Sequence, residues 1–507
     1  MKKTASGYRL IFGYLGLFIT FIGITMLIPL LALPFFPDEV GDWSCFVIPG
    51  ASAIALGIAL FMLIAKRDKA QLGKHQDAIL LVLIWLISIL IAAVPFIIKG
   101  ELSFTQSIFE TTSAFGTIGL TVFNEACFNS HLFVLYRSII CFLGGIGLVL
   151  VITSAISDRY GLKLYVAEGH NDKLMPNLAK SARLILTIYV AIILVGVGLY
   201  VAAGMPVFDA IIHSISAVAT GGFSSKPEGL LAFQSSTNWP AVQAISCILM
   251  IMGAINFLLH MFVITGRFKK VWRDCEIRTF LILALVFIPL FFLAVLSNYD
   301  WTDPVSALCN GSFTFVSSIT TTGFANTNVL DVVNESGVVV ARGIGEVAMF
   351  LIVIVNIIGG GMGSTAGGVK QYRLAVAVKS FYWSTRERLS SSNYIYPHYV
   401  WRFGEQKEIK ANDSAEAFSY IIIYIAILFI GGLVTTFAGP EGTTYGEALF
   451  EFSNALSSTG LSNGLCQANA GVQWCLIVGM FLGRLEILSI FFALYRVGRD
   501  ILRKDTH

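Results

Sequence analysis

Charge is what this chain has least of: Asp, Glu, Lys and Arg make up only 13% of its 507 residues. Soluble chains use about twice that share to cover a water-facing surface, so a single soluble globule is excluded. A metal or redox signature is also lacking. The eight cysteines contain no CxxC pair and no zinc-like spacing with His. No nucleophile–base pair or carboxylate dyad stands in an enzymatic setting, so bond chemistry is not expected. Lys+Arg number 34 against 31 Asp+Glu, a net of +3, which offers no bulk attraction for nucleic acid or an acidic partner.

What is present is apolar. Hydrophobic residues make up 56% of the chain, mean hydropathy is +0.77, and there are 39 Phe and 47 Gly, as expected where helices pack in lipid. Runs of the roughly 20 residues needed to cross a bilayer lie near 8–36, 46–65, 77–98, 133–157, 182–203, 240–266, 279–297, 338–358, 416–438 and 473–495, which predicts ten crossings. The first follows Met1-Lys2-Lys3 and is too long for a signal-peptide core, so it reads as a retained transmembrane helix. Lys and Arg crowd alternate loops: Lys66–Lys74, Arg159–Arg183, Arg267–Arg278, Lys370–Lys410 and the tail after Arg496. The positive-inside rule puts these loops and both termini in the cytoplasm. The longest of them, about 370–414, carries Arg386, Glu387, Arg388, Glu405 and Lys407. It reads either as a solvated connector or as a docking surface for a cytoplasmic partner. Cys127 and Cys466 both fall on the opposite side, where a disulfide depends on geometry that spacing cannot supply.

One short phrase occurs four times. It reads Phe109-Glu-Thr-Thr-Ser113-Ala-Phe-Gly-Thr117-Ile118-Gly119-Leu120, then Ile212 to Phe223 with Ser216, Thr220, Gly221 and Gly222, then Phe313 to Phe324 with Ser317, Thr321, Thr322 and Gly323, and last Phe450 to Leu461 with Asn454, Ser458, Thr459 and Gly460. Each copy follows a predicted crossing and is too short and polar to be one. A single copy would read as loop or helix-packing material; four at matching topology point to an internal repeat of the transporter type. Irregular backbone survives at membrane depth only inside protein or along a watery cavity. A half-helix ending at each Thr-x-Gly brings a partial negative charge to the midplane, which favours a cation. Glycine lets successive carbonyls turn toward one axis, and four such strands can replace the hydration shell of a monovalent cation.

With these phrases the chain resembles the Trk/Ktr/HKT superfamily of potassium translocation proteins, over nearly its whole length. Two crossings before the first full repeat, which begins with the third crossing, make it most similar to the TrkH type. The resemblance implies an all-α polytopic membrane protein: two N-terminal spans, then four pseudo-fourfold membrane-pore-membrane repeats with re-entrant pore helices. The expected divisions are 1–74 (extension), 75–160, 161–270 and 271–410 (repeats one to three, the third with a glycine-rich gate loop and cytoplasmic connector) and 411–507 (repeat four). The implied potassium site is Thr117, Ile118, Gly119, Gly221, Gly222, Thr321, Thr322, Gly323, Thr459 and Gly460, with Thr220 and Ser458 at matching flanks. Ile118 and Leu120 depart from the usual Thr-Thr-Gly. The resemblance further implies a homodimer in the bacterial inner membrane, controlled by a cytoplasmic nucleotide-binding subunit of the TrkA type. Potassium is the transported ligand, and no cofactor is expected.

Two further features stand out. Gly359, Gly360, Gly361, Gly363, Gly367 and Gly368 fall within ten residues, too many for a helix when each costs roughly 1 kcal/mol against alanine. They read as an intramembrane loop below the filter that acts as a gate. Gly361-x-Gly363-x-x-Ala366 formally matches a dinucleotide fingerprint, but that motif needs a preceding strand. Arg484 lies in the last predicted crossing, where an ionised side chain defaults to a functional role. The resemblance makes it an electrostatic barrier under the filter; its structural alternative is a buried pair with Glu486 or Glu110. His213, Glu110 and His260 read as satisfied scaffold. The competing functions are a proton- or sodium-coupled symporter and a nucleotide-binding membrane enzyme.

Overall fold

The computed structural model describes residues 5–65, 76–147, 178–299, 301–333, 339–390, 397–485 and 487–502. The basic loops within 66–75 and 148–177, the expected divisions at 74 and 160, and Glu486 lie outside the described residues. The described chain is mostly helical. Six segments are long and apolar enough to cross a membrane: Ile11–Phe35, Pro37–Met62, Ala78–Lys99, Ala182–Ala202, Cys275–Asn298 and Ala411–Ala438.

Several predicted crossings are not straight helices. Residues 240–266 form Trp239–Ala254 and Phe257–Ile264, bent by 110°, and the last crossing bends by 98° between Ala470–Arg484 and Ile487–Arg499. At the first bend Asn256 Oδ1 accepts from the Leu258 N–H at 2.9 Å and so starts a new helix. The Gly253 and Ala254 carbonyls released by the break accept from the Thr365 and Gly361 N–H groups at 3.2 and 3.0 Å. Irregular backbone is thus satisfied inside the protein. The stretch 338–358 is helical only over Glu346–Ile358, and the first helix, Ala5–Leu27, tightens into a 3-10 turn over Ile28–Phe35, where Pro29 and Pro34 stop the α ladder.

The all-α expectation also needs amendment. Val332–Val333 pairs with Val339–Ala341, and Tyr399–Arg402 pairs antiparallel with Glu405–Glu408. The second hairpin sits within the 370–414 segment, after the helix Gln371–Leu389. It is tied to the bundle by the Phe403 N–H on Asp274 Oδ2 at 3.0 Å.

The N-terminal helices form a tight antiparallel pair. Gly16 and Gly23 on Ala5–Leu27 and Gly50 and Gly57 on Trp43–Ala65 are each two turns apart, so they line one face. A Cβ on Gly16 would stand 2.6 Å from the Gly57 carbonyl oxygen, and one on Gly23 2.7 Å from that of Gly50. Backbone contact this close needs residues without side chains. The pair is pinned to the rest by Glu39, whose carboxylate accepts from the His131 and Leu132 N–H groups at 2.8 and 2.9 Å. It thereby caps the positive end of helix His131–Ile146.

Candidate functional site

Each repeated phrase contains the end of a short helix, and the four ends fall within one residue of the same aligned place. The helices are Phe104–Gly116, Val207–Val218, Pro304–Ile319 and Tyr445–Ser457. Ser103 with Gln106 and Thr444 with Glu447 form reciprocal capping boxes on the first and fourth. Asp303 caps the third by accepting from the Ser306 N–H at 3.0 Å, and hydrogen bonds from the Ser306 hydroxyl and then its N–H hold the carboxyl below the usual range. The second starts directly after Pro206 with no side-chain cap.

At the carbonyl ends, Thr117, Thr220, Thr321 and Ser458 take φ of 52°, 53°, 53° and 63°. Left-handed backbone at a non-glycine residue costs on the order of 1–3 kcal/mol, and it recurs here four times at one aligned position. The following N–H repays part of it by bonding back into the helix. Ile118 bonds to the Ser113 carbonyl at 2.9 Å, Gly221 to Ser216 at 2.7 Å, Thr322 to Ser317 at 2.9 Å, and Thr459 to Asn454 at 2.8 Å. The chain is thereby turned out of each helix in the same direction.

The four glycines then meet. A Cβ built on Gly119 would lie 3.1 Å from the Cα of both Gly222 and Gly460. One on Gly222 would lie 3.3 Å from the Thr322 carbonyl carbon, one on Gly323 2.8 Å from that of Gly460, and one on Gly460 2.9 Å from Gly119 Cα. The order around the ring is therefore 119, 222, 323, 460. Gly119, Gly222 and Gly323 have positive φ, whereas Gly460 does not.

In three copies the strand leaving the ring is held from behind by the residue nine before the glycine, Glu110, His213 or Glu451; Thr314 is the aligned residue of the third copy, and all four are buried. Glu110 accepts from Thr121 Oγ1 at 2.8 Å and the Val122 N–H at 2.9 Å. Glu451 accepts from Ser462 Oγ at 2.6 Å and the Asn463 N–H at 3.0 Å. His213 Nε2 stands 3.1 Å from Ser224 Oγ while its Nδ1 bonds the Asp209 carbonyl at 2.8 Å. Both of its ring nitrogens are engaged in the frame.

Sequence reasoning missed Arg137. Its guanidinium is fully buried, bonds Glu110 at 3.0 Å and the Ser224 carbonyl at 2.5 Å, and lies over the rings of Phe123 and Phe223 at 4.2 and 4.7 Å. An arginine inside a predicted crossing was signal enough to single it out. Also missed was Asn356, which donates to Asn454 Oδ1 at 3.0 Å and accepts from Thr459 Oγ1 at 3.2 Å.

The glycine-rich segment between helices Glu346–Ile358 and Gln371–Leu389 is irregular and lies against the ring. Gly359, Gly363 and Gly368 have positive φ. Gly360 and Gly361 lie beside Ala254 at the break in Trp239–Ile264, and Gly367 lies beside Ser458. A helix, not a strand, precedes the segment, so the dinucleotide reading has no structural basis. Arg484 Nη1 donates to the Thr365 carbonyl at 3.0 Å, and Nη2 donates to the Gly144 carbonyl. The suggested Arg484–Glu110 pair does not form, because Glu110 faces Arg137 instead. Cys127 and Cys466 are separate buried thiols.

Several apolar helices, two of them sharply broken, and irregular backbone held inside protein define a multi-pass membrane transport protein. The family described as TrkH, cation transport protein, matches residues 44–497, and the chain belongs to that family. It is 27% identical to the Trk system potassium uptake protein TrkH of Salmonella typhimurium, covering 95% of this chain and 97% of that one. It is 26% identical to an uncharacterized cation transporter of Methanocaldococcus jannaschii, covering 99% and 98%. The crystal structure of the potassium transporter TrkH from Vibrio parahaemolyticus matches the fold with a TM-score of 0.79 at 24% identity, covering 96% of this chain and 98% of that one.

Proposed function

We propose that the chain takes up potassium across a bacterial inner membrane through the ring of Gly119, Gly222, Gly323 and Gly460. The observation that carries this reading is the closure of the four glycines in cyclic order, each behind a helix carbonyl end. Main-chain oxygens at such a ring can take the place of a cation's water, and the helix ends favour positive charge. In this reading the ten crossings are two spans followed by four membrane-pore-membrane repeats, with both termini cytoplasmic. Thr117, Ile118, Thr220, Gly221, Thr321, Thr322, Ser458 and Thr459 complete the filter. The loop from Gly359 to Gly368 is the gate, and Arg484 adds a positive barrier beneath the ring. The membrane potential, worth about 2.3 kcal/mol per charge per 100 mV, drives entry. A homodimer with a cytoplasmic nucleotide-binding subunit of the TrkA type completes the system, and the basic loops are its contact surface.

The test is uptake in a strain that lacks its own potassium uptake. The chain is expected to restore growth at low potassium, with no accompanying proton or sodium current. Gly222→Ser, which drives a side chain into the Thr322 carbonyl, is expected to lose most of the preference for potassium over sodium. A wild-type chain that moves no potassium would sink the reading.

A further inference from the structure

The glycine-rich loop holds the ring through hydroxyls, and it holds only half of it. Thr117, Thr220, Thr321 and Ser458, the four left-handed residues, each carry a buried hydroxyl. Thr220 Oγ1 lies 2.7 Å from the Ala219 carbonyl and 3.0 Å from Thr365 Oγ1, which share its one proton, and Thr321 Oγ1 accepts from the Gly367 N–H at 2.7 Å. Among the described residues, Thr117 Oγ1 and Ser458 Oγ have no hydrogen-bond partner.

Thr365 is the point where the copies are joined. Its hydroxyl reaches the Gly253 and Val218 carbonyls at 2.9 and 3.2 Å as well as Thr220. Its carbonyl is held by Arg484 of the fourth copy, which also binds Gly144 of the first. Two residues on, Gly367 holds the third copy. A hydroxyl oxygen has one proton and two lone pairs, and the direction of the proton decides where the lone pairs point. The loop therefore bonds two of the four oxygens that precede the ring and leaves the other two, among the described residues, without a partner.

We propose that Thr365 is a positioning residue that couples the loop to the ring: one hydroxyl holds the loop in place against the Gly253 and Val218 carbonyls and bonds Thr220, so that loop position and cation occupancy are linked. This rests on reading the ring as a potassium pathway and the loop as its gate. Linkage in binding is reciprocal. Whatever loosens the loop shifts potassium affinity, and removing potassium loosens the loop.

Thr365→Val deletes the hydroxyl at almost constant volume, and Thr365→Ser keeps it. In the potassium-requiring strain, T365V is expected to raise initial uptake roughly two- to tenfold, the change that one net hydrogen bond corresponds to. It should also shift the external potassium concentration for half-maximal uptake, while T365S stays at the wild-type value. A purely structural residue would lower uptake without that shift. The wild-type chain supplies a second measurement that needs no variant: hydrogen exchange across 359–370 in potassium against choline. Faster exchange in choline supports the coupling. Equal exchange, or T365V with wild-type rate and half-saturation while wild type transports, overturns it and leaves the pathway standing. A wild-type chain that transports no potassium overturns the pathway itself.

Discussion

Glu110 and Glu451 occupy the same place in the first and fourth copies, yet only Glu110 faces a guanidinium. Both carboxylates are fully buried and both tie down the strand leaving the ring. Glu110 is 3.0 Å from Arg137. Among the described residues Glu451 has only neutral donors: Ser462, Asn463 and the Cys466 N–H at 3.2 Å.

This difference predicts unequal costs of neutralisation. Glu110→Gln leaves the Arg137 charge buried and unbalanced, a loss of about 3–5 kcal/mol. Glu451→Gln leaves no opposing charge unbalanced and weakens hydrogen bonds from neutral donors, about 1–3 kcal/mol. Thermal unfolding in detergent should therefore show E110Q melting well below E451Q. The reverse order would mean that Arg137 is not the dominant partner.

Three helices approach the ring through a glycine set against a carbonyl four residues before the ring glycine. Gly144 meets Phe115, Gly253 meets Val218 and Gly483 meets Leu456, each so closely that a Cβ would collide with the oxygen. Gly483→Ala and Gly144→Ala are expected to cut uptake at least tenfold, with less folded protein in the membrane. Gly498→Ala, where a Cβ meets open space, serves as the control and should behave as wild type.

Arg484 bridges the Thr365 and Gly144 carbonyls, and that geometry separates charge from clamping. Arg484→Ala removes both and should raise the maximal uptake rate severalfold. Arg484→Lys keeps the charge but cannot hold two carbonyls in one planar fork. A lysine variant as fast as the alanine variant identifies the clamp as the main restraint, and one as slow as wild type identifies the charge.

The eight cysteines are free thiols. Thiol titration of the denatured, unreduced chain should return all eight. A value two lower would signal a bond between Cys127 and Cys466 that this structure does not contain.

The ring was legible because its copies align without gaps, and the same hydrogen-bond step after Ser113, Ser216, Ser317 and Asn454 needs that constant spacing. Its left-handed residues were not. Such turns usually fall on glycine, and here the strain sits on Thr and Ser two residues earlier. Hydropathy found the apolar stretch 240–266 but could not see its 110° bend, since composition reports the solvent and not the direction of the chain. Asn256, which caps the second half, was the local clue. Glu110 was seen as scaffold, but Arg137 comes from a different helix, and no local pattern names a partner across such a gap. The two hairpins went unseen because strands of two to four residues are too short to show a period.

A conduit assembled from identical subunits must repeat every wall fitting four times over. In the proposed pathway one polypeptide builds all the walls, so a guanidinium can bridge a single pair of neighbours, a histidine can stand where two of its counterparts are acids, and a latch can grip two sides and spare the others. Changes on one wall then need no matching change on the rest. Specialisation among the quadrants is thus open to single substitutions, a freedom closed to a symmetric tetramer.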